Sequence, residues 1–162
     1  MCIRDRTLMA IAMLFPITAF AQAYVQTWDL VDSGKHLDYD GNSTYMSYIN
    51  TGAATWNAYK SGVIRKDSAF VVEDVYVSDV NASNGWAGMT YSSGKIELNT
   101  YYMSGYSNSK KQNVATHELG HALGLDHSTS TDVMDAAITG HTSTQALSQN
   151  DKDSYDAAYN NY

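Results

Sequence analysis

The eleven residues from 117 to 127 constrain this chain more than any other part of its sequence, and they read His-Glu-Leu-Gly-His-Ala-Leu-Gly-Leu-Asp-His. Side chains four positions apart lie on the same face of a helix, so His117 and His121 are predicted to converge on one point. Two neutral imidazoles at this spacing are typical ligands of Zn²⁺. The segment therefore predicts a helix that carries two ligands of one metal ion.

The third ligand has to come from outside this helix, because Leu125 stands where a further helical turn would need an imidazole. Gly124 predicts the end of the helix, since glycine adopts the left-handed conformation that turns a chain sharply. His127 follows three residues later and can return towards the same ion after that turn. The pattern thus predicts that three imidazoles from one helix and the bend after it bind one cation.

Other third ligands are scarce in this chain. Some short His-Glu-x-x-His sites use a distant Glu, but the three Glu stand at positions 73, 97 and 118, with none after 118. Asp126, Asp132 or His141 can substitute in principle, but only His127 combines the spacing with a glycine turn. Glu118 follows the first ligand directly, so its carboxylate is expected to reach the open side of the ion without binding it.

These residues resemble the metzincin clan of zinc metallopeptidases, most closely the matrixin-like branch. The resemblance extends to Ser128 and to Met134, which stands in DVMD seven positions beyond the last His. It implies one catalytic Zn²⁺ held by His117, His121 and His127, a zinc-activated water with Glu118 as its general base, and Gly124 and Met134 as structural residues of the site, Met134 being the Met-turn residue beneath the metal. The tyrosine ligand of the astacin-like and serralysin-like branches has no counterpart, because no Tyr lies between Met134 and His141.

The predicted elements fit an α+β domain with α/β-like character. They are a strand over Tyr24–Val31, a turn over Asp38–Ser43, a helix from Asn42 or Ser43 to about Lys60, a strand over Phe70–Val80, a hairpin over 86–99, a helix from Ser107–Ser109 to about Leu123, and a last helix over Leu147–Tyr159 with Ser148 as its cap. The resemblance implies a twisted mixed sheet of five strands with an antiparallel edge strand, about three helices, a zinc helix and a Met-turn.

The resemblance also implies where a substrate binds. Trp86–Tyr91 would be the edge strand that borders the cleft, and an exposed edge can pair with the main chain of an extended peptide. The residues expected to contact the substrate are Trp86, Ala87, Gly88 and Met89. Asp135–Gly140 would form the wall of the pocket beside the scissile bond. His36 and His141 are predicted to be surface histidines.

The N-terminus has the pattern of a secretory signal peptide. The apolar run Leu8–Phe20 follows Arg4 and Arg6, and small residues at spacing two allow cleavage after Ala21 or Ala23. The run is shorter than the roughly 20 residues of a stable membrane span. We therefore expect a leader over 1–23 and one catalytic domain over 24–162. The only Cys lies in this leader, and a secreted, disulfide-free domain is typical of a bacterial source.

Seventeen acidic and ten basic residues give a formal net charge of −7, which argues against a nucleic-acid partner. The sequence predicts a secreted, monomeric zinc endopeptidase that acts on extended peptides or proteins. Two alternatives stay open: a zinc-binding, non-catalytic secreted protein, and an adhesion or glycan-binding module, which the Tyr, Trp, Asn and Ser content would also suit. Structural Ca²⁺ bound through Asp and Asn side chains also stays open, without a location.

Overall fold

The computed structural model, which describes residues 22–68 and 72–162, contains a five-stranded mixed sheet with helices packed against it. The signal-peptide prediction falls mainly on residues 1–21, which lie outside the described residues. The elements are, in order, β1 (Leu37–Gly41), α1 (Met46–Asn57), β2 (Ile64–Lys66), β3 (Val75–Val80), β4 (Gly88–Tyr91), β5 (Lys95–Asn99), α2 (Thr100–Met103), α3 (Asn108–Ala122), a 3₁₀ turn (Ile138–Gly140) and α4 (Gln149–Tyr159).

The sheet has the strand order β2-β1-β3-β5-β4. β1 is parallel to β2 and to β3, β3 is parallel to β5, and only the β4–β5 pair is antiparallel. The α+β class with an antiparallel edge strand is therefore confirmed. The hairpin prediction over 86–99 is also confirmed, with Met89 opposite Glu97 and Thr90 opposite Ile96.

The predicted first strand over Tyr24–Val31 is wrong. Val25 makes only an isolated antiparallel bridge with Leu125. The segment lies beside the bend after α3, where the Gln26 N–H donates to the carbonyl of Gly124 at 2.8 Å. The β-forming residues of this segment therefore contact the bend after α3 rather than the sheet. Tertiary contact with that bend overrides the local strand propensity.

The segment Asp38–Ser43, predicted as a turn, instead contains most of β1. Asp38 is buried in this strand because Arg65 of the neighbouring β2 binds its carboxylate with two contacts, at 2.8 and 2.5 Å. A paired carboxylate can be buried where an isolated one cannot. β2 itself was missed, since its three residues carry no alternation that a sequence pattern could detect.

The next two elements differ from prediction at their ends. The strand predicted over Phe70–Val80 begins only at Val75; residues 69–71 lie outside the described residues. The first helix ends at Asn57 rather than near Lys60, and its N-cap position is Tyr45, although the Ser43 hydroxyl accepts from the Tyr45 N–H at 3.0 Å. Two short elements, α2 and the 3₁₀ turn, were not predicted.

The core places α3 against α1 on one face of the sheet. Ile49, Ala53 and Trp56 form the buried face of α1, as the periodicity predicts, and the Trp56 indole N–H donates to the carbonyl of Thr116 in α3 at 2.9 Å. α4 completes this layer, because Tyr155 meets Trp56 edge-on at 5.5 Å between ring centroids. Among the helices of residues 22–68 and 72–162, none is both long and apolar enough to cross a bilayer.

Candidate active site

α3 and the bend that follows it form as the sequence predicts. The Ser107 hydroxyl caps the helix by accepting from the Lys110 N–H, and Ala122 is the last helical residue. Gly124 has φ +85°, and the N–H groups of Gly124 and Leu125 donate to the carbonyls of His121 and Gly120 at 2.9 and 3.0 Å. These two bonds are those of a Schellman motif, which ends a helix at a left-handed glycine.

This bend brings the third histidine to the other two. The ring centroids of His117, His121 and His127 are separated by 4.7, 5.2 and 4.8 Å, and one nitrogen from each ring lies within 4.8 Å of the others. The Nε2 atoms of His121 and His127 are 3.2 Å apart. Two ligands of a tetrahedral Zn²⁺ with Zn–N distances of about 2.0–2.1 Å are about 3.3–3.4 Å apart, so the geometry fits this metal.

Backbone carbonyls orient two of the three rings. Nδ1 of His117 donates to the carbonyl of Val133 at 2.8 Å, and Nδ1 of His121 donates to the carbonyl of Leu125 at 2.9 Å. Because each Nδ1 carries the proton, each Nε2 keeps a lone pair for a metal. Burial lowers the pKa of His117 to about 3 and also lowers that of His121, so both rings are neutral near pH 7, as ligands must be.

Glu118 lies buried under the edge strand. The hydroxyl of Thr90 in β4 donates to Glu118 Oε2 at 2.7 Å, and burial raises the pKa of the carboxyl to about 7. The backbone of Gly88 passes so close that a Cβ at this position would lie 2.5 Å from Glu118 Oε1. A residue with a side chain would therefore displace the carboxylate or the strand.

The loop after the third histidine supports the site from below. Met134 is buried, with 1% of its surface exposed, and its sulfur packs against Gly120 of α3. The carboxylate of Asp151, at the start of α4, accepts from the N–H groups of Val133 and Met134 at 2.9 and 3.1 Å. Asp151 thus holds the loop whose carbonyl orients His117. Sequence reasoning missed Asp151, although its position three residues after Ser148 is the signature of a capping box.

A cleft of about 480 Å³ opens in front of these residues. All four residues predicted to contact substrate, Trp86 to Met89, line it on the side of the edge strand. Ala136, Ile138 and Thr139 line the opposite side, within the segment predicted as the wall. Five further lining residues were not predicted, and these are Gln26, Gly85, Tyr102, Tyr106 and Val114.

The alternative ligands are engaged elsewhere. Asp126 accepts from the N–H of His127, Asp132 accepts from Thr129, and Nε2 of His141 lies 2.8 Å from the carboxylate of Asp135. His141 was predicted to be a surface residue, but it is partly buried and closes the wall segment by this contact. His36, the other histidine predicted to lie at the surface, is partly exposed, and its Nδ1 lies 3.7 Å from Oδ1 of Asp32.

Among the described residues, a second group that could hold a metal consists of Asp32, Asp38 and Asp74. Arg65 already neutralises Asp38, and Asp74 accepts from the Asp38 N–H at 2.8 Å. The carboxylates of Asp38 and Asp74 therefore already have partners within the protein.

Comparison with known proteins agrees with this geometry. The family model of matrixin, a peptidase family, matches residues 18–160. The chain belongs to the matrixin family. The crystal structure of archaemetzincin from Methanopyrus kandleri is similar in fold, with a TM-score of 0.56 and 12% identity over 80% of this chain and 99% of the other. No curated protein matches this chain. This matrixin is accordingly a zinc metallopeptidase with a metzincin fold.

Proposed function

We propose that this matrixin is an exported endopeptidase that hydrolyses extended peptide chains, with Glu118 as its general base. One observation carries the proposal: the buried carboxylate of Glu118 lies beside three convergent imidazoles, at the base of a cleft bordered by a strand edge. A metal site alone would not need a carboxylate held in this position.

His117, His121 and His127 would hold one Zn²⁺, since one nitrogen of each ring lies within 4.8 Å of the others and the Nε2 atoms of His121 and His127 have the spacing of tetrahedral ligands. When bound, the metal supplies a Lewis acid that activates water and polarises the scissile carbonyl. Calcium is not part of this proposal, because the described residues give it no site beyond the internally paired acidic group around Asp38.

Glu118 handles the protons in this mechanism. The Thr90 hydroxyl binds Oε2, which leaves Oε1 to accept the proton of the attacking water. The same carboxyl then delivers that proton to the amine of the leaving peptide. Burial favours proton uptake by Glu118, since it raises the pKa of this carboxyl above its ordinary value.

β4 binds the substrate in this proposal. It has one neighbouring strand, β5, among the described residues, and Gly88, Met89 and Thr90 line the cleft from its other edge. An extended peptide can add to such an edge through main-chain hydrogen bonds, which places its scissile bond beside Glu118. We propose a monomer as the active form.

Export is supported by the sequence pattern at the N-terminus, where the apolar run Leu8–Phe20 is followed by small residues at spacing two. N-terminal sequencing of the protein recovered from outside the producing cells tests this part. A chain that begins at Gln22 or Tyr24 is the expected result. An intact leader on the mature protein would contradict it.

The catalytic part is tested by Glu118→Gln in the zinc-loaded protein. We expect near-normal zinc content but a rate of peptide hydrolysis about 10²–10⁴-fold lower, because the amide cannot accept the proton. The matched control is Glu97→Gln, which removes a carboxylate on β5 that pairs with Lys95 outside the site. Hydrolysis of casein and of a quenched fluorescent peptide is measured, with and without a chelator.

Two results would contradict the proposal. Near-full activity of Glu118→Gln would remove Glu118 from the role of general base. A zinc-loaded wild-type protein that cleaves neither casein nor a peptide library would instead favour a non-catalytic zinc protein or an adhesion module.

A further inference from the structure

The segment 81–87, which we call the rim loop, joins β3 to β4 and forms one rim of the cleft. Gly85, Trp86 and Ala87 of this loop line the cleft directly. Asn99, the last residue of β5, lies behind the loop with none of its surface exposed. The position of the rim therefore depends on how this buried side chain contacts it.

The donor side of the Asn99 amide binds both ends of the rim loop. Nδ2 donates to the carbonyls of Ala82 and Trp86 at 2.8 and 2.9 Å, and the side-chain oxygen of Asn84 lies 2.9 Å away. An amide nitrogen has two hydrogens, so these three oxygens share them. One side chain thus closes the loop from its second residue to its sixth.

The acceptor side and the backbone of Asn99 extend this contact. Oδ1 accepts from the N–H groups of Ala82 and Tyr101 at 3.2 and 3.1 Å, and the Asn99 N–H donates to the carbonyl of Ala87 at 2.8 Å. One further contact holds the tip of the loop, where the Gly85 N–H donates to the Tyr102 hydroxyl at 2.8 Å. Asn99 is therefore the main support of the rim.

The rim loop leads directly into β4, which is only four residues long. Its start at Gly88 follows the two residues that Asn99 holds, Trp86 and Ala87. By contrast, α3, the bend at Gly124 and the loop that contains Met134 (the Met loop) hold the histidines and the backbone of Glu118. Thr90 of β4 contacts the Glu118 carboxylate two residues further along the strand. A shift confined to the rim and the start of β4 should therefore move the surface that a peptide binds and leave the three histidines in place.

We propose that Asn99 is a positioning residue for substrate: by closing the rim loop it aligns the edge of β4 for an extended peptide. The proposal rests on the peptidase function proposed above. Asn99 does not reach the cleft, so it acts through the backbone of the loop. Its loss should raise KM, since a misaligned edge binds substrate less well before any bond is broken.

The test compares Asn99→Ala and Asn99→Asp with Asn57→Ala in the zinc-loaded protein. Asn57 is the matched control, because its amide donates to and accepts from the backbone of Ile64 at 2.7 and 3.0 Å and thereby fixes β2. β2 is the opposite edge of the sheet. Asn99→Asp keeps an acceptor for the loop but, as a carboxylate, has no hydrogen to donate.

Steady-state kinetics use a quenched octapeptide, and hydrogen exchange of residues 82–87 reports on the rim without substrate. For Asn99→Ala and Asn99→Asp we expect KM to rise about tenfold, as the loss of buried hydrogen bonds allows, with kcat within about threefold of wild type. Exchange in the rim should become faster, and zinc content should stay at one per chain. Asn57→Ala should keep the wild-type KM.

An unchanged KM in Asn99→Ala, an equal rise in Asn57→Ala, or a wild-type KM in Asn99→Asp would each overturn the proposal. If Asn99→Ala does not fold, Tyr102→Phe tests it by removing only the bond to Gly85; unchanged KM and unchanged exchange at 84–86 in that variant would then overturn it. A wild-type protein inactive on peptides refutes the proposed function and this inference together, whereas an active one with a KM insensitive to Asn99 refutes the inference alone.

Discussion

Two regions meet at the active site of this matrixin, and they are built differently. The ligand segment, residues 117–134, sets its geometry from within, through helical spacing, the bend at Gly124 and carbonyls of its own backbone. The rim loop and β4 depend on distant residues, since Asn99 holds the loop and Thr90 contacts Glu118 from 28 positions away. The arrangement of the three histidines thus depends mainly on contacts within one segment, whereas the rim and the edge strand depend on polar contacts with other segments.

This difference predicts two kinds of defective variant. Changes in the ligand segment should remove metal, and with it stability, because metal binding energy contributes to folding. Changes in the rim and β4 should leave the metal bound and alter the kinetic constants. A rim or β4 variant that loses zinc, or a ligand-segment variant that keeps its zinc and changes only the kinetic constants, would contradict this distinction.

The largest effect is expected for His121→Ala. This change removes one metal ligand and its bond to the Leu125 carbonyl, so we expect loss of bound zinc and no measurable peptide hydrolysis. The stabilisation that added Zn²⁺ gives the wild-type protein in thermal unfolding should disappear as well. His36→Ala, which changes a partly exposed histidine, is the control. One zinc per chain in His121→Ala would disprove the three-histidine site.

Asp151→Asn should have the next largest effect, on stability. The Asp151 carboxylate is fully buried and accepts from three N–H groups, those of Val133, Met134 and Ser148. Losing the charge from these bonds should lower the free energy of unfolding by about 3 kcal/mol, measured by urea denaturation. Asp153→Asn, in the same helix and partly exposed, should change it little. Equal effects of the two variants would mean that Asp151 does not support the Met loop.

Thr90→Val should have the smallest effect and should fall on kcat. The change keeps the shape of the side chain but removes the hydroxyl that binds Glu118 Oε2 at 2.7 Å. We expect kcat to fall about three- to tenfold with zinc content unchanged, because Glu118, the proposed general base, would be less well oriented. Thr90→Ser should restore most of the rate. A loss of zinc in Thr90→Val would show that the strand also supports the metal site.

The same division explains which parts could be predicted from the sequence. Short-range patterns specified the helix of His117 and His121, the turn at Gly124, the face of α1 and the hairpin, whose two strands are joined by only three residues. Each of these depends on residues that are close in the chain. Their spacing alone therefore indicates their structure.

The errors that affect the site and the central strands involve partners that are remote in sequence. Asp38 lies in a strand because Arg65 neutralises its carboxylate. Val25 lies outside the sheet because it pairs with Leu125. The contact between Asp151 and the Met loop and the contact between Asn99 and the rim have the same origin. A single sequence does not reveal which polar residues will meet across such distances, so the supports of the site were missed although its ligands were identified.

The close approach of Gly88 to Glu118 has a consequence for altering this peptidase. A Cβ at this position would lie only 2.5 Å from the carboxylate, so any other amino acid is expected to displace the side chain that we propose as the general base. Attempts to redesign substrate preference from this strand therefore have to work on either side of that position, at Trp86 and Met89, which line the cleft from the same strand and the loop before it. A change at Gly88 is therefore expected to alter both substrate preference and rate.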